Sequence, residues 1–518
     1  MVIILTVPAL FTVSIVLNGF DLELPQVSRL LHGQHVRVSV DVEHVANRLA
    51  HTRAHTPAST ASVSGGVELP GSTVVHAAVR SSASPASALR ASIVALAGVI
   101  QLNALLRGQS GASERLLAGV LSAVQQSLDE SSTASAYGAV DATLAGVCAV
   151  DGWTDSAQLA QMWRPVVEDI GVANVTSADV HALLSAHSLS FAGAADLLFA
   201  ADAALRAATL ACALSADAMG LGVSLWSSSA ATSSPAQRRI VRDLQMLMQG
   251  AVVTRTSHRA PEAFVGAPSV LAATLRTMEL VGDELRRAIN AHDSALMVLV
   301  PPMPPSRAAP ASGDGVLVSK LAGNADKHVP VGDDETSLAS ESRGEPVERG
   351  HFVLTGTGAH VAAVAAAVQS LVGALLACAE SSVQRSQALL ERYPNADSAR
   401  RCLTQLASAM VTRLRRIDAS PLAELVHLTP VIPTLLKVLA IECAIAGSVF
   451  RHRQAPHCDA TLARPLTAIP EKLRVAAAAF ERLSAEAGDD FDLAPTFELM
   501  LNPGKMRAIN PLIPRKQS

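Results

Sequence analysis

Apolar residues recur at three- and four-residue spacing through most of the second half of the chain, the signature of helices with one buried face. Leu197, Leu198, Ala201, Leu205, Ala208 and Ala211 keep this rhythm between 189 and 219. The stretches 236–250, 268–290, 359–392, 397–416 and 432–450 read the same way. The last is apolar on every side over 438–449, as expected of a central bundle helix. Helical spacing also runs from 88 to 128, broken at 108–113. Nearer the start, 15–50 reads as a strand, a turn and a helix, over 15–17, 26–31 and Val36–Val40, followed by a helical 41–55. A Ser/Gly/Pro-rich stretch follows at 56–87, with turn signals at Gly65-Gly66 and Pro70-Gly71, and 129–180 is only weakly patterned.

The rhythm stops between 298 and 350. Pro301-Pro302, Pro304-Pro305 and Pro310 precede Gly313, Gly315 and an acidic, serine-rich run. Such a composition cannot build a core, so a disordered surface insertion is expected there. The pattern divides the chain into a mixed N-terminal domain at 1–188, a first bundle segment at 189–297, the insertion at 298–350, and a second bundle segment with the C-terminal region at 351–518. A mainly α fold is expected, a long-helix bundle with a smaller mixed α/β N-terminal domain.

Composition narrows the chemistry. Of 518 residues, 49% are hydrophobic but only 3% aromatic, so the core must be packed with Ala, Leu and Val, which favours helices over a β-sandwich. The net charge of −4 gives no global basic field to hold nucleic acid. Arginines occur in small groups, Arg286–Arg287, Arg400–Arg401 and Arg415–Arg416, which read as solvated helix faces and ion pairs. Six cysteines in so long a chain do not make a disulfide framework. Cys148, Cys212, Cys378 and Cys443 sit in apolar runs, where a free thiol acts as a small core residue, whereas Cys402 lies in a polar stretch. His452, His457, Cys458 and Asp459 are metal-capable but lack a recognised ligand spacing, so they read as a polar loop and no metal is expected.

Residues 1–20 carry no charged side chain. They lack the basic start and small-residue cleavage site of a signal peptide, and Pro8 interrupts them, so a strand entering the turn Asn18-Gly19 is expected. No later segment reads as a transmembrane helix, since 359–379 is Ala-dominated and holds His360 and Gln369. A cytoplasmic location is expected. Gly65-Gly66 and Gly220-x-Gly222 lack the lysine and the glycine fingerprint of phosphate loops.

Several segments, taken in order, resemble the histidine and aromatic amino-acid ammonia-lyase family. Ile15-Val-Leu-Asn-Gly-Phe-Asp-Leu-Glu-Leu resembles the opening "L-x-L-D-G-x-x-L-T-L", and Gln101-Leu-Asn-Ala-Leu-Leu-Arg107 resembles "L-Q-x-N-L-L-x-S-H". The Ala-rich helix 189–219 with 238–247 resembles the long core helices. Thr256-Ser-His-Arg259 through Gly266-Ala267 resembles "Y-S-x-R-C-x-P-Q-x-x-G-A", and Leu354-Thr-Gly-Thr-Gly-Ala-His360 resembles "S-G-G-N-F-H-G". Leu439-Ala-Ile-Glu442 resembles "L-A-I-E-L", and 463–466 with 491–495 echo the closing motifs. The resemblance implies the ammonia-lyase (fumarase/aspartase-like) bundle and elimination of ammonia from an L-amino acid, histidine foremost. It also implies a dihedral homotetramer with active sites built from several subunits.

The family's electrophile is a methylidene-imidazolone made by cyclising an Ala-Ser-Gly tripeptide, and a tyrosine removes the β-proton. The resemblance places Ala139-Val140-Asp141 at the tripeptide. Val140 has no hydroxyl to eliminate, and Asp141 lacks the unhindered nitrogen that glycine offers. The one Ala-Ser-Gly in the chain, Ala311-Ser312-Gly313, lies out of family order in the insertion. Ser64 stands at the catalytic tyrosine, Thr256 at the second tyrosine, Ser185 near the "N-G-T" asparagine and Gln109 near the "L-x-S-H" histidine. Only two tyrosines exist, Tyr137 and Tyr393.

What the resemblance keeps is Arg259, matching the arginine that pairs with a substrate carboxylate, together with Asn290 and His360. A guanidinium fork suits a carboxylate because it bonds both oxygens. The bland readings stand beside these: an ion pair or helix cap for Arg259, a C-cap for Asn290, a hydrogen-bonded core histidine for His360. The expectation is a lyase-like protein without an intact catalytic set and without the imidazolone. It would be a homo-oligomer, or a partner subunit of an intact paralogue, with an amino acid as the implied ligand. The competing expectations are an active ammonia-lyase and an unrelated helical interaction protein.

Overall fold

The computed structural model describes residues 13–17, 21–31, 36–40, 91–107, 113–132, 188–226, 234–251, 260–291, 296–298, 352–354, 359–393, 399–415, 431–454, 469–486 and 493–513. The chain enters on β1 (Val13–Leu17), passes through α1 (Leu24–Leu31) and returns on β2 (Val36–Val40). The strands pair in parallel, with Ile15 opposite Val38. A parallel return needs a crossover, and here α1 supplies it. Ile15, Leu17, Val27, Leu30 and Val38 turn inward. The sequence reads as a strand, a turn and a helix here; the structure has a second strand at Val36–Val40, returning parallel to the first.

Helices follow: α2 (Ala91–Leu105), α3 (Glu114–Ser132), α4 (Ser188–Met219), a 3-10 turn (Val223–Trp226), α5 (Pro235–Leu247), the single turn α6 (Glu262–Val265) and α7 (Ala267–Asn290). The short strands β3 (Leu296–Val298) and β4 (Phe352–Leu354) pair antiparallel. Then come α8 (Ala359–Arg392), α9 (Ala399–Arg415), α10 (Val431–Gln454), α11 (Glu471–Glu486), α12 (Ala494–Leu501) and α13 (Pro503–Ile509). The periodic stretches of the sequence thus become helices, and the break at 108–113 falls between α2 and α3.

The core sits where α4, α7, α8 and α10 pack together. Alanine dominates the facing surfaces of α4, including Ala201, Ala204, Ala208, Ala211 and Ala213. Small side chains let helix axes approach to about 8 Å. At Gly447, α10 and α11 lie so close that a Cβ would meet the backbone of Phe480 at 2.7 Å.

Four stretches, Ser190–Met219, Glu262–Asn290, His360–Arg392 and Val431–Arg453, are long and apolar enough to cross a membrane by length and composition alone. Alanine content had argued against any such stretch. The first and last nevertheless bury 72% and 78% of their most apolar windows inside the protein, as core helices do.

Candidate functional site

The two ends of the α4–α7–α8 core differ in chemistry. Thr274 on α7 lies beside Ala374 and Cys378 on α8: its Oγ1 donates to the Ala374 carbonyl at 3.3 Å and sits 3.0 Å from Cys378 Sγ. Near the start of α7, Gly266 and Val270 share a cleft with α8 residues 377–391. The two helices therefore run antiparallel, and the last turn of α7 shares an end with the first turn of α8.

At that end stands Asn290, the final residue of α7. Its Nδ2 donates to the Leu22 carbonyl at 2.9 Å, and its Oδ1 accepts from the Leu22 amide at 3.1 Å, so the side chain pairs with a peptide unit as a neighbouring strand would. Nδ2 also donates to the Arg286 carbonyl at 3.0 Å, and Oδ1 accepts from Asn103 Nδ2 at 3.4 Å. Arg107, just past α2, donates to the Ile289 carbonyl at 2.6 Å, and Asn103 donates to the same oxygen at 3.3 Å. The last carbonyls of a helix lack intrahelical partners and carry its negative end, so a buried guanidinium is a suitable cap. Three segments quoted for the resemblance, 15–24, 101–107 and Asn290, thus meet at one point. His360, the second residue of α8, is half-buried at this same end.

Ser64, Ala139, Val140, Asp141, Thr256 and Arg259 lie outside the described residues. The chain re-enters at Ala260, one residue after Arg259, at the opposite end of α7. A helix of 24 residues spans about 36 Å. The structure therefore brings Asn290 and His360 to one end of the core and the residue after Arg259 to the other.

The Ala260 end holds a fully buried ion pair. Arg385 on α8 donates from Nε to Glu442 Oε1 at 2.7 Å and from Nη2 to Oε2 at 2.8 Å, the two-pronged geometry that matches guanidinium to carboxylate. Ser215 Oγ donates to Oε1 at 2.7 Å and Ser382 Oγ to Oε2 at 2.6 Å, while Arg385 Nη1 donates to Ser381 Oγ at 2.8 Å. The four acceptor positions of the carboxylate are taken. Burial pulls the Arg385 pKa down, but the charge and hydrogen bonds of Glu442, together with Cys212 and Cys378, outweigh it, so the guanidinium is held above its ordinary value. Glu442 was legible as one letter of a motif; Arg385 and its serines were not. The signal for them was a charge inside an apolar helix, which has to find a partner.

Three thiols flank this pair. Burial pushes Cys212 up to about 11, with Arg385 pulling the other way, and burial also raises Cys378 and Cys443. At neutral pH they are inert, uncharged core groups, since only a thiolate attacks or ligates. Cys402 is exposed.

Above the ion pair, a cleft of about 600 Å³ opens between the start of α7 and the second half of α8, lined by Glu262, Glu380, Ser381, Gln384 and Glu391 among others. Trp226 ties its far wall down by donating from Nε1 to the Phe264 carbonyl at 2.8 Å. Arg415 on α9 donates to Glu380 Oε1 at 2.6 Å. Ser381 links the cleft to the buried pair. Among the described residues no group of three His, Cys, Asp or Glu side chains is placed to hold a metal ion.

No protein-family model matches the sequence, and no curated protein matches it. Solved structures do. Histidine ammonia-lyase from Trypanosoma cruzi superposes with a TM-score of 0.62, covering 97% of this chain and 96% of that one at 13% identity. Tyrosine aminomutase from Streptomyces globisporus gives 0.64, with 96% and 98% covered at 14% identity. Phenylalanine ammonia lyase from Rhodosporidium toruloides gives 0.56, with 96% and 89% covered at 13% identity. The chain has the aromatic amino-acid ammonia-lyase fold. At such identity the likeness concerns architecture, which helix packing preserves while side chains drift. Within the ammonia-lyase fold, the Asn290 end gathers the opening motifs and the Ala260 end holds the buried ion pair.

Proposed function

We propose that this chain is an ammonia-lyase-like protein that keeps the scaffold and lacks the chemistry, acting as a soluble scaffold or partner subunit within an oligomer. The observation that carries the reading is the contrast between fold and tripeptide. The fold is matched over 97% of the chain, yet the residue that the sequence resemblance sets at the imidazolone serine is Val140. A methylidene carbon forms by losing a side-chain hydroxyl as water, and valine has none to lose. The residues present do not fit the prosthetic group, so no step is routed through it.

The placement of Asn290 and His360 at one end of α7, and of Ala260 at the other, supports the oligomeric part of the reading. A site that used Arg259 together with Asn290 and His360 would draw them from two copies. Arg259 retains the chemistry to hold the carboxylate of an amino acid.

The test is an intact-mass spectrum of the purified chain beside an ammonia-release assay with histidine, phenylalanine and tyrosine. Imidazolone formation removes two waters, about 36 Da, as the price of making that electrophile. An unmodified mass with no ammonia release is expected. A chain lighter by two waters that turns over any of the three amino acids would refute the proposal and make it an active lyase.

A further inference from the structure

The cleft over the buried ion pair has the volume of a small-molecule site, about 600 Å³. Small side chains hold it open, with Ala263 and Gly266 on one wall and Ala377 and Ala388 of α8 on the other. Its charge is of one sign. Glu262, Glu380 and Glu391 line it, and no Lys, Arg or His does. Of these carboxylates only Glu380 is in an ion pair among the described residues, with Arg415. Glu380, Gln384, Gln387 and Glu391 follow at steps of three and four residues, so they stand in a row on one face of α8. From Glu380 to Glu391 the row spans about 16 Å. Carboxylates so far apart do not converge on one metal ion, whose oxygen ligands lie within about 2–3 Å of it. They suit an elongated molecule that carries several ammonium groups.

The floor of the cleft adds a second, independent mark. Ser381 is only 7% exposed and lines the cleft. Its Oγ accepts from Arg385 Nη1 at 2.8 Å, and its hydroxyl hydrogen has no acceptor among the described residues. The serines beside it differ: Ser382 donates to Glu442 and Ser386 to the Ser382 carbonyl. A buried donor without an acceptor is costly, and a guanidinium bonded to the same oxygen polarises the O–H and makes it a stronger donor. A molecule seated here therefore gains by bringing an oxygen to Ser381 as well as ammonium groups to the carboxylates.

We propose that this cleft binds an amino sugar of two or three rings, with ammonium groups against Glu262, Glu380 and Glu391 and a hydroxyl oxygen receiving the Ser381 proton. This binding goes beyond the scaffold reading and is independent of it. A linear polyamine would answer the carboxylates and leave the Ser381 hydrogen without an acceptor. A neutral sugar would answer Ser381 and leave the carboxylates unmatched. An amino acid would bring a carboxylate of its own into an acidic cleft, where like charges repel. Gln384 and Gln387, each with a donor and an acceptor, match ring hydroxyls between the charged ends of the row.

Calorimetric titration of the full chain at about 0.15 M salt reads the outcome. The probes are kanamycin, an amino sugar with several ammonium groups, and spermine, a polyamine without oxygen. Kanamycin is expected to bind, and more tightly than spermine. Glu262→Gln and Glu391→Gln, both at exposed positions, are each expected to weaken both probes about threefold. Glu471→Gln, exposed on α11, is expected to leave both unchanged. Ser381→Ala is expected to weaken kanamycin about fivefold and spermine not at all, whereas a loss of structure would weaken both alike. Failure of kanamycin to bind, or an affinity that Glu262→Gln and Glu391→Gln leave unaltered, overturns the proposal. Spermine binding as tightly as kanamycin, or an equal response of the two probes to Ser381→Ala, overturns the amino sugar as the ligand. Ammonia release plays no part in these readouts, so the cleft and the catalytic reading can fail separately.

Discussion

Removing one member of the Arg385–Glu442 pair leaves the other charge stranded in the core. Arg385 is 1% exposed and Glu442 0%, so water cannot take the place of the lost partner. Glu442→Gln keeps the shape but turns one acceptor oxygen into an NH2 group facing donors from Arg385 and Ser382. Breaking a buried pair in this way costs about 3–5 kcal/mol. Arg385→Met leaves the carboxylate with its two serine donors alone and is expected to cost a similar amount. The double substitution Arg385→Met with Glu442→Leu removes both charges, and the serines can turn to carbonyls one helical turn back. Ser386 Oγ already donates to the Ser382 carbonyl at 2.9 Å in this manner. The double variant is therefore expected to be more stable than either single variant, with a coupling of at least ~2 kcal/mol between the two sites. Urea unfolding followed by far-UV circular dichroism, at one chain concentration because association shifts apparent stability, measures all four corners of the cycle. Single variants that each cost under about 1 kcal/mol, or costs that simply add in the double variant, would refute the reasoning that the pair is held in place by mutual charge compensation.

Two further outcomes follow from the packing and the thiols. Gly447→Ala drives a methyl group into the rigid backbone of α11, 2.7 Å from Phe480, and is expected to cost about 1–3 kcal/mol; a urea midpoint equal to that of the wild type would show that α10 and α11 can part without penalty. The unfolded chain releases the Cys212 proton near pH 9.0, while the folded protein keeps it to about 11. Stability is therefore fully present below pH 9 and falls as the pH rises toward 11, by roughly 3 kcal/mol for this group. Unfolding measured at pH 8 and pH 11 should show a shallower loss in Cys212→Ala, and an unchanged slope would remove Cys212 as its source.

How far the chain could be read without its tertiary structure depends on distance along the sequence. The positions of α4, α7, α8 and α10 were legible because helical period is a local property: a residue's face is set by neighbours three and four places away. At 15–40 the strand at 15–17 was legible, but the parallel return of Val36–Val40 beside it was not, since pairing joins residues more than twenty positions apart. Val140 was informative because the lack of a hydroxyl is a property of one side chain and needs no fold. Asn290 and His360 could be named from motif order, yet nothing in that order said that they share an end or that Ala260 lies about 36 Å away. The bonds that organise the two ends span 268 residues from Leu22 to Asn290, 227 from Ser215 to Glu442 and 57 from Arg385 to Glu442. Such pairings are selected by the whole packing arrangement, since a buried charge or amide accepts whichever partner the fold delivers. The same holds for α8. Its apolar run marks a covered helix, but only the packing of α4, α7, α9 and α10 around it decides which face is left open.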